Sequence, residues 1–223
     1  MNATSAEPSP ATETAPPMPP PAHLRRLVLT GFMGAGKTTV GCLLAARLGW
    51  DFLDLDAYIE SRTGLTVPSI FATHGEPRFR QLESQALASA LGRSRIVLAL
   101  GGGAPEVLTN RLLLEQTPGT ATIFLDAPFP TLFDRCMMQA LNPASGSAAR
   151  SQEHMLPNAL PGQARPLLAD PAAAETRFLA RQPIYRRLAH YTISTASLTT
   201  GETVAALLTR LQTTPPVRSN SRL

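Results

Sequence analysis

Residues 27–41 read LVLTGFMGAGKTTVG, a run of β-formers that enters a glycine-rich turn and leaves it as a helical pattern. Gly31-x-x-x-x-Gly36-Lys37-Thr38 fills every fixed position of a phosphate-cradling loop. The composition follows from the physics. Glycines permit positive φ and close backbone approach, so successive N–H groups can turn inward around a polyphosphate. The helix that follows adds its N-terminal dipole and free N–H donors. In this reading Lys37 reaches the β- and γ-phosphates of a nucleotide, and the Thr38 hydroxyl ligates Mg²⁺. Lys37 is the only lysine in the chain; every other formal cation is an arginine. A position that stays lysine under that bias needs a compact ammonium on a flexible stem.

A phosphate loop of this kind sits between a strand and a helix, and the rest of the chain keeps that alternation. LVLT (27–30), FLDLD (52–56), IVLAL (96–100), TATIFLD (120–126) and YTIST (191–195) read as short strands buried on both faces. Helical patterns run over Lys37–Leu48, Glu76–Leu91, Pro105–Gln116, Pro130–Met138 and Ala172–Ala189. Strand and helix in alternation predict βαβ units, hence an α/β fold with a parallel sheet covered on both faces. Ligands on such sheets sit at the carboxyl ends of the strands. GFMGAGK, DLD and GGG end three of these runs, so they should converge on one crevice.

Several function classes drop out on composition. The net charge of +4 is spread along the chain rather than gathered in a basic stripe, so nucleic acid is not an expected partner. No apolar run approaches the ~20 residues that cross a membrane. Residues 1–22, rich in Pro, Ala, Ser and Thr, have neither the apolar core nor the basic start of a secretory signal, and they read as a disordered leader. A single domain is expected over 23–212, with a disordered tail over 213–223. Cys42 and Cys136 lack metal-ligand spacing and read as small buried hydrophobes in a reducing, cytoplasmic protein. Residues 139–163 carry Pro, Gly, Ser and Ala without a sustained period, and are expected to be a flexible insertion.

The acceptor of the phosphate is narrowed by what surrounds the loop. Asp54 and Asp56 alternate with Leu53 and Leu55, which would put both carboxylates on one face at a strand's end. One could order the Mg²⁺ shell while the other accepts a proton from an attacking hydroxyl; capping of the next helix by Asp56 is the competing reading. In GEPRFRQLES (75–84), Glu83 lies three residues beyond Arg80 on a helix and can hold its guanidinium, although a surface ion pair is the simpler account. The triple glycine 101–103 lets a small ligand lie against bare backbone. Arg181, Arg186 and Arg187 start as a solvated helix face, and His74 as a solvated turn.

Together GFMGAGKTTVG, FLDLDAYIE, GLTVPSIFATHGEPRFRQLES, LALGGGA, RPLL and RQPIYRRLAHYTIST, in this order, closely resemble shikimate kinases. The resemblance implies a P-loop, nucleoside-monophosphate-kinase-like three-layer sandwich with a five-stranded parallel sheet. It implies ATP- and Mg²⁺-dependent phosphorylation of the shikimate 3-hydroxyl, on the route to chorismate and the aromatic amino acids; a monomer is expected. Carried over by position, Gly34, Ala35, Gly36, Lys37, Thr38 and Thr39 hold the ATP phosphates. Thr38 and Asp54 serve the metal, and Asp56 is the catalytic base and binds shikimate hydroxyls. Arg80 and Arg181 clamp the carboxylate, and Gly102 and Gly103 line its pocket. Arg135 flanks adenine, and Arg165 is a lid arginine grouped with Lys37 in catalysis. Two departures stand out: the long segment between Arg135 and Arg165, with His154 read as a loop residue, and the loop ASLTTGE (196–202), which lacks the cation that relatives often carry beside the base. The alternatives are a kinase for another hydroxy acid such as gluconate, and a nucleotide-binding regulator without turnover.

Overall fold

The computed structural model describes residues 21–141 and 170–213. Its strands are β1 (Arg26–Thr30), β2 (Asp51–Asp54), β3 (Ile96–Ala99), β4 (Thr120–Asp126) and β5 (Tyr191–Ser194). Its helices are α1 (Lys37–Leu48), α2 (Leu55–Thr63), α3 (Val67–Leu91), α4 (Leu108–Gln116), α5 (Phe129–Leu141), α6 (Pro171–Leu188) and α7 (Thr200–Thr213). The strands form one parallel sheet in the order β2-β3-β1-β4-β5. The fold is therefore the P-loop α/β architecture expected. In β1, Leu27 lies opposite Val97 on one side and Ala121 on the other. Leu27 and Leu29 pack with α1 and α7, whereas Val28 packs with α2 and α3 on the opposite face. Strict alternation of side chains sends neighbours into two separate cores. Truncating Leu27 or Leu29, both 0% exposed, to Ala should cost about 2–5 kcal/mol. The strands β2 and β5 bury mainly one face, because they are the sheet's edges rather than its interior.

Several expected boundaries move, each for a local reason. The second strand ends at Asp54, not Asp56. The Asp54 side chain accepts the backbone N–H groups of Asp56 (3.1 Å) and Ala57 (3.4 Å) and so caps α2, which has begun by Leu55. The two carboxylates thus come from a cap and a first helical turn, not from one strand face. Helix α3 has an additional limb before the expected Glu76 start, with Thr66 as its cap. The two limbs meet at Gly75 (φ 74°, ψ 171°), and Pro77 lies in the first turn of the second, where a missing N–H costs little. The helix expected from Pro105 begins at Leu108, after a single 3-10 turn at Ala104–Glu106. Helix α5 runs on to Leu141, so Gln139, Ala140 and Leu141 are helical rather than part of an insertion.

Helix α7 was not expected at all, and it takes the last three residues of the 196–202 loop. Its start is a capping box: Glu202 Oε2 accepts from the Thr199 N–H at 2.8 Å, and Thr199 Oγ1 accepts from the Glu202 N–H at 3.2 Å. The readings made for 1–20, 142–163, Arg165 and 214–223 lie outside the described residues, while Thr213, expected to open a disordered tail, is the last residue of α7. Among the described residues no helix is long and apolar enough to cross a membrane.

Candidate active site

The carboxyl ends of β2, β3 and β1 lie side by side, so their loops meet in one crevice. On the β1 side the loop 31–36 delivers Lys37 to the first turn of α1. Lys37 Nζ donates to the carbonyls of Gly31 (2.8 Å) and Phe32 (3.0 Å), which holds the ammonium over the loop. Gly36 caps α1 in the left-handed region (φ 86°). Gly34 (φ +76°) presses against the Leu132 carbonyl and Cys136 Sγ, so no side chain fits there. Thr38 Oγ1 donates to Asp54 Oδ2 at 2.9 Å. These are two hard oxygen donors at the mouth of a phosphate loop, a set that fits Mg²⁺ sharing its shell with phosphates and water.

Beside the loop is a cavity of about 270 Å³, lined in part by Gly36, Thr39, Arg135, Gln139, Thr195 and Thr199. Arg135 donates to Thr195 Oγ1 at 3.2 Å and to the Thr195 carbonyl, which fixes its guanidinium at the cavity wall.

On the β3 side the triple glycine forms a floor to which side chains from three directions close down. A Cβ on Gly101 would lie 2.8 Å from Asp56 Oδ1 and 3.0 Å from Glu83 Oε1. One on Gly103 would run into the Arg80 guanidinium, and one on Gly102 would lie 3.6 Å from both Arg181 Nη1 and Tyr185 Oη. Arg80 donates to Glu83 Oε2 at 2.8 Å and to Glu76 Oε1 at 2.9 Å. It is not the surface pair that its spacing first suggests, because the Glu83 residue is 0% exposed. Arg181 Nη2 donates to Glu106 Oε2 at 2.8 Å, and the Tyr185 hydroxyl donates to the Gly102 carbonyl.

Burial sets the electrostatics of this floor. It raises the Asp56 carboxyl to about 6, with the negative charge of Asp54 adding to the rise and Lys37 and Arg80 opposing it. Asp56 Oδ1 is buried and has no hydrogen-bond partner. Burial also raises Glu83, to about 7, against the pull of Arg80. The Tyr185 hydroxyl is pushed up, again by burial, and stays a neutral donor. A carboxylate poised near neutrality, two arginines and a bare backbone floor beside a phosphate loop can bind a hydroxylated acid and take a proton from its hydroxyl.

The crevice thus has two sides. Gly34, Ala35, Gly36, Thr39 and Arg135 line the cavity, with Lys37 and Thr38 on the same loop. Asp56, Arg80, Gly102, Gly103 and Arg181 gather on the other, and Asp54 stands between them. Arg186 pairs with Asp126 at 3.2 Å while staying exposed, Arg187 is exposed, and His74 is exposed but lies on α3 rather than in a turn; Cys136 is buried as expected, whereas Cys42 is only partly buried. Sequence reasoning did not single out Glu106 or Tyr185. Tyr185 had a signal, four residues beyond Arg181 on one helix face. Glu106 had none, since its partner lies 75 residues away.

The chain is similar to known proteins in both sequence and fold. The family model described as shikimate kinase matches residues 33–212. The chain is 38% identical over 189 residues to a shikimate kinase of Symbiobacterium thermophilum, covering 83% of this chain and 95% of that protein. It is 53% identical over 96 residues to one of Geobacter sulfurreducens, a match spanning 43% of this chain and 53% of that protein. The solved structure of shikimate kinase from Acinetobacter baumannii in complex with shikimate superposes with a TM-score of 0.68 at 34% identity, covering 85% of this chain and 93% of that one.

Proposed function

This chain belongs to the shikimate kinase family, and on that premise we propose that it transfers the γ-phosphoryl group of ATP to the 3-hydroxyl of shikimate, giving shikimate 3-phosphate and ADP. The observation that carries the reading is the triple-glycine floor, with Arg80 and Arg181 at Gly103 and Gly102 and Asp56 at Gly101. Two guanidiniums suit a ring carboxylate, and the absence of a Cβ lets a flat ring lie close to backbone.

The steps follow from where the groups stand. Loop 31–36 and the N-terminus of α1 bind the triphosphate, and Lys37 exchanges its carbonyl partners for the β- and γ-phosphates. Arg135 packs against the base in the cavity beside the loop. Thr38 and Asp54 would hold Mg²⁺, which neutralises phosphate charge when bound. Arg80 and Arg181 orient shikimate so that its 3-hydroxyl faces both Asp56 and the γ-phosphate. Asp56 accepts the hydroxyl proton as the oxygen attacks phosphorus and ADP leaves. With its carboxyl near 6, Asp56 is ionised at neutral pH yet basic enough to take the proton. Lys37 stabilises the charge that develops on the transferred group. We assign the reaction to aromatic amino acid biosynthesis in the cytoplasm.

ADP release by the purified protein with Mg²⁺-ATP, measured with shikimate, gluconate or quinate, tests the substrate. Turnover is expected with shikimate and not with the other two acids. Turnover with gluconate instead would overturn the assignment.

A further inference from the structure

We propose that Glu106 is a placeholder for the substrate's carboxylate: in the empty site it occupies Arg181, and the incoming acid displaces it into solvent. The proposal rests on the reading that Arg181 receives that carboxylate.

The chain leaves β3 at Ala99. After the triple glycine it makes one 3-10 turn, Ala104–Glu106, and that turn's backbone is firmly held. The Glu106 N–H donates to the Gly103 carbonyl at 2.9 Å, Asn110 Nδ2 to the Ala104 carbonyl at 2.9 Å, and Arg111 Nη1 to the Glu106 carbonyl at 2.9 Å. The Glu106 side chain alone reaches across to α6, where it meets Arg181 Nη2 at 2.8 Å. The two side chains differ in access to water: Arg181's is 11% exposed and Glu106's is 39% exposed. A buried guanidinium without a carboxylate is costly, so an empty site needs something at that position. A half-exposed carboxylate on a fixed backbone can turn into water at little cost.

The other carboxylates of the site behave differently. Glu83 is 1% exposed at its side chain and lies between Arg80 and the Gly101 floor, so it has nowhere to go. Glu76 is 62% exposed, but it makes an i,i+4 pair with an arginine that keeps Glu83 whether or not Glu76 is there. Glu106 is the one carboxylate paired with Arg181 among the described residues. Arg181 also has donors to offer. Its Nε is buried with no partner, and its Nη1 faces Gly102, on the floor where the acid would lie. A carboxylate arriving there meets the negative charge of Glu106 on the same guanidinium, and the two compete for it.

A placeholder weakens substrate binding, whereas a mere positioner of Arg181 strengthens it, so the sign of one variant separates the two. Glu106→Gln, made in the full chain, should lower the KM for shikimate and its Kd measured by titration calorimetry by about 3- to 10-fold, with kcat within about twofold. The shikimate-induced rise in Tm should grow, although the unliganded Tm falls. Glu106→Ala should give the same sign. An unchanged or raised KM in both variants overturns the placeholder role while leaving Arg181 as the acid's partner, provided Arg181→Ala raises the KM. If Arg181→Ala binds shikimate normally, both the placeholder and the reading beneath it are overturned.

Discussion

The two sides of the crevice are built in opposite ways. The side proposed for the nucleotide is largely one contiguous stretch, Gly31 to Thr39, which offers mostly backbone N–H donors and a helix terminus. The side proposed for the acid is assembled from α2, α3, the turn after β3, and α6, and its two arginines are side chains held in ion pairs, Arg80 by Glu83 and Arg181 by Glu106. A backbone cradle is specified by local composition, and a side-chain cluster by packing. The division implies that lesions on one side should spare binding on the other, and that chemistry should fail where the sides meet, at Asp56.

The largest expected effect is at that junction. Asp56→Asn should lower kcat by about 10²–10⁴-fold while both substrates still bind, as steady-state kinetics and calorimetry would show. Near-normal turnover would remove Asp56 as the base. The same variant should be more stable than the parent at pH 8. Burial raises the folded carboxyl from 3.8 to about 6, so its ionised form is disfavoured by folding. Stability from this group is complete below the lower value and is lost as pH rises through that window. Removing the charge should recover at most about 3 kcal/mol, read as a higher Tm.

Next comes the floor. Gly103 has φ −90° and ψ −12°, which alanine adopts freely, so Gly103→Ala should fold. Its methyl would displace the Arg80 guanidinium and so raise the KM for shikimate by roughly 10- to 100-fold, the loss of a charge-assisted hydrogen bond. The KM for ATP should not move; a change confined to ATP would break the division between the sides. Acid pH should act through the junction too. As Asp56 takes up a proton below about pH 6, kcat/KM should fall about tenfold per pH unit, and a profile flat down to pH 5 would contradict the assignment. The smallest effect is expected at the cavity wall, where Arg135→Ala should raise the KM for ATP by about 3- to 10-fold with that for shikimate unchanged.

Legibility in the sequence followed the same division. The helix after the phosphate loop was readable to the residue, Lys37–Leu48, because the loop motif fixes where the helix must start. The alternation of runs gave the parallel sheet, since apolar strands of this length need crossover helices on both faces. The Asp54/Asp56 pair was read as a strand face, and the capping hydrogen bonds of Asp54 decided otherwise. Helix α7 carries a signal in the sequence all the same: Thr199 and Glu202 at capping-box spacing, then Val204, Leu207, Leu208 and Leu211 buried on one face. The hold of Glu106 on Arg181 carried none, because no local rule links an arginine on α6 to a turn 75 residues earlier.

In the proposed reaction the two sides meet to pass a phosphoryl group to one particular oxygen. Its most direct test is ³¹P NMR of the products formed from ATP, Mg²⁺ and shikimate. The expected products are ADP and a single phosphate ester whose phosphorus couples to the proton on C3 of shikimate. Free phosphate as the main product, or an ester at another hydroxyl, would contradict it.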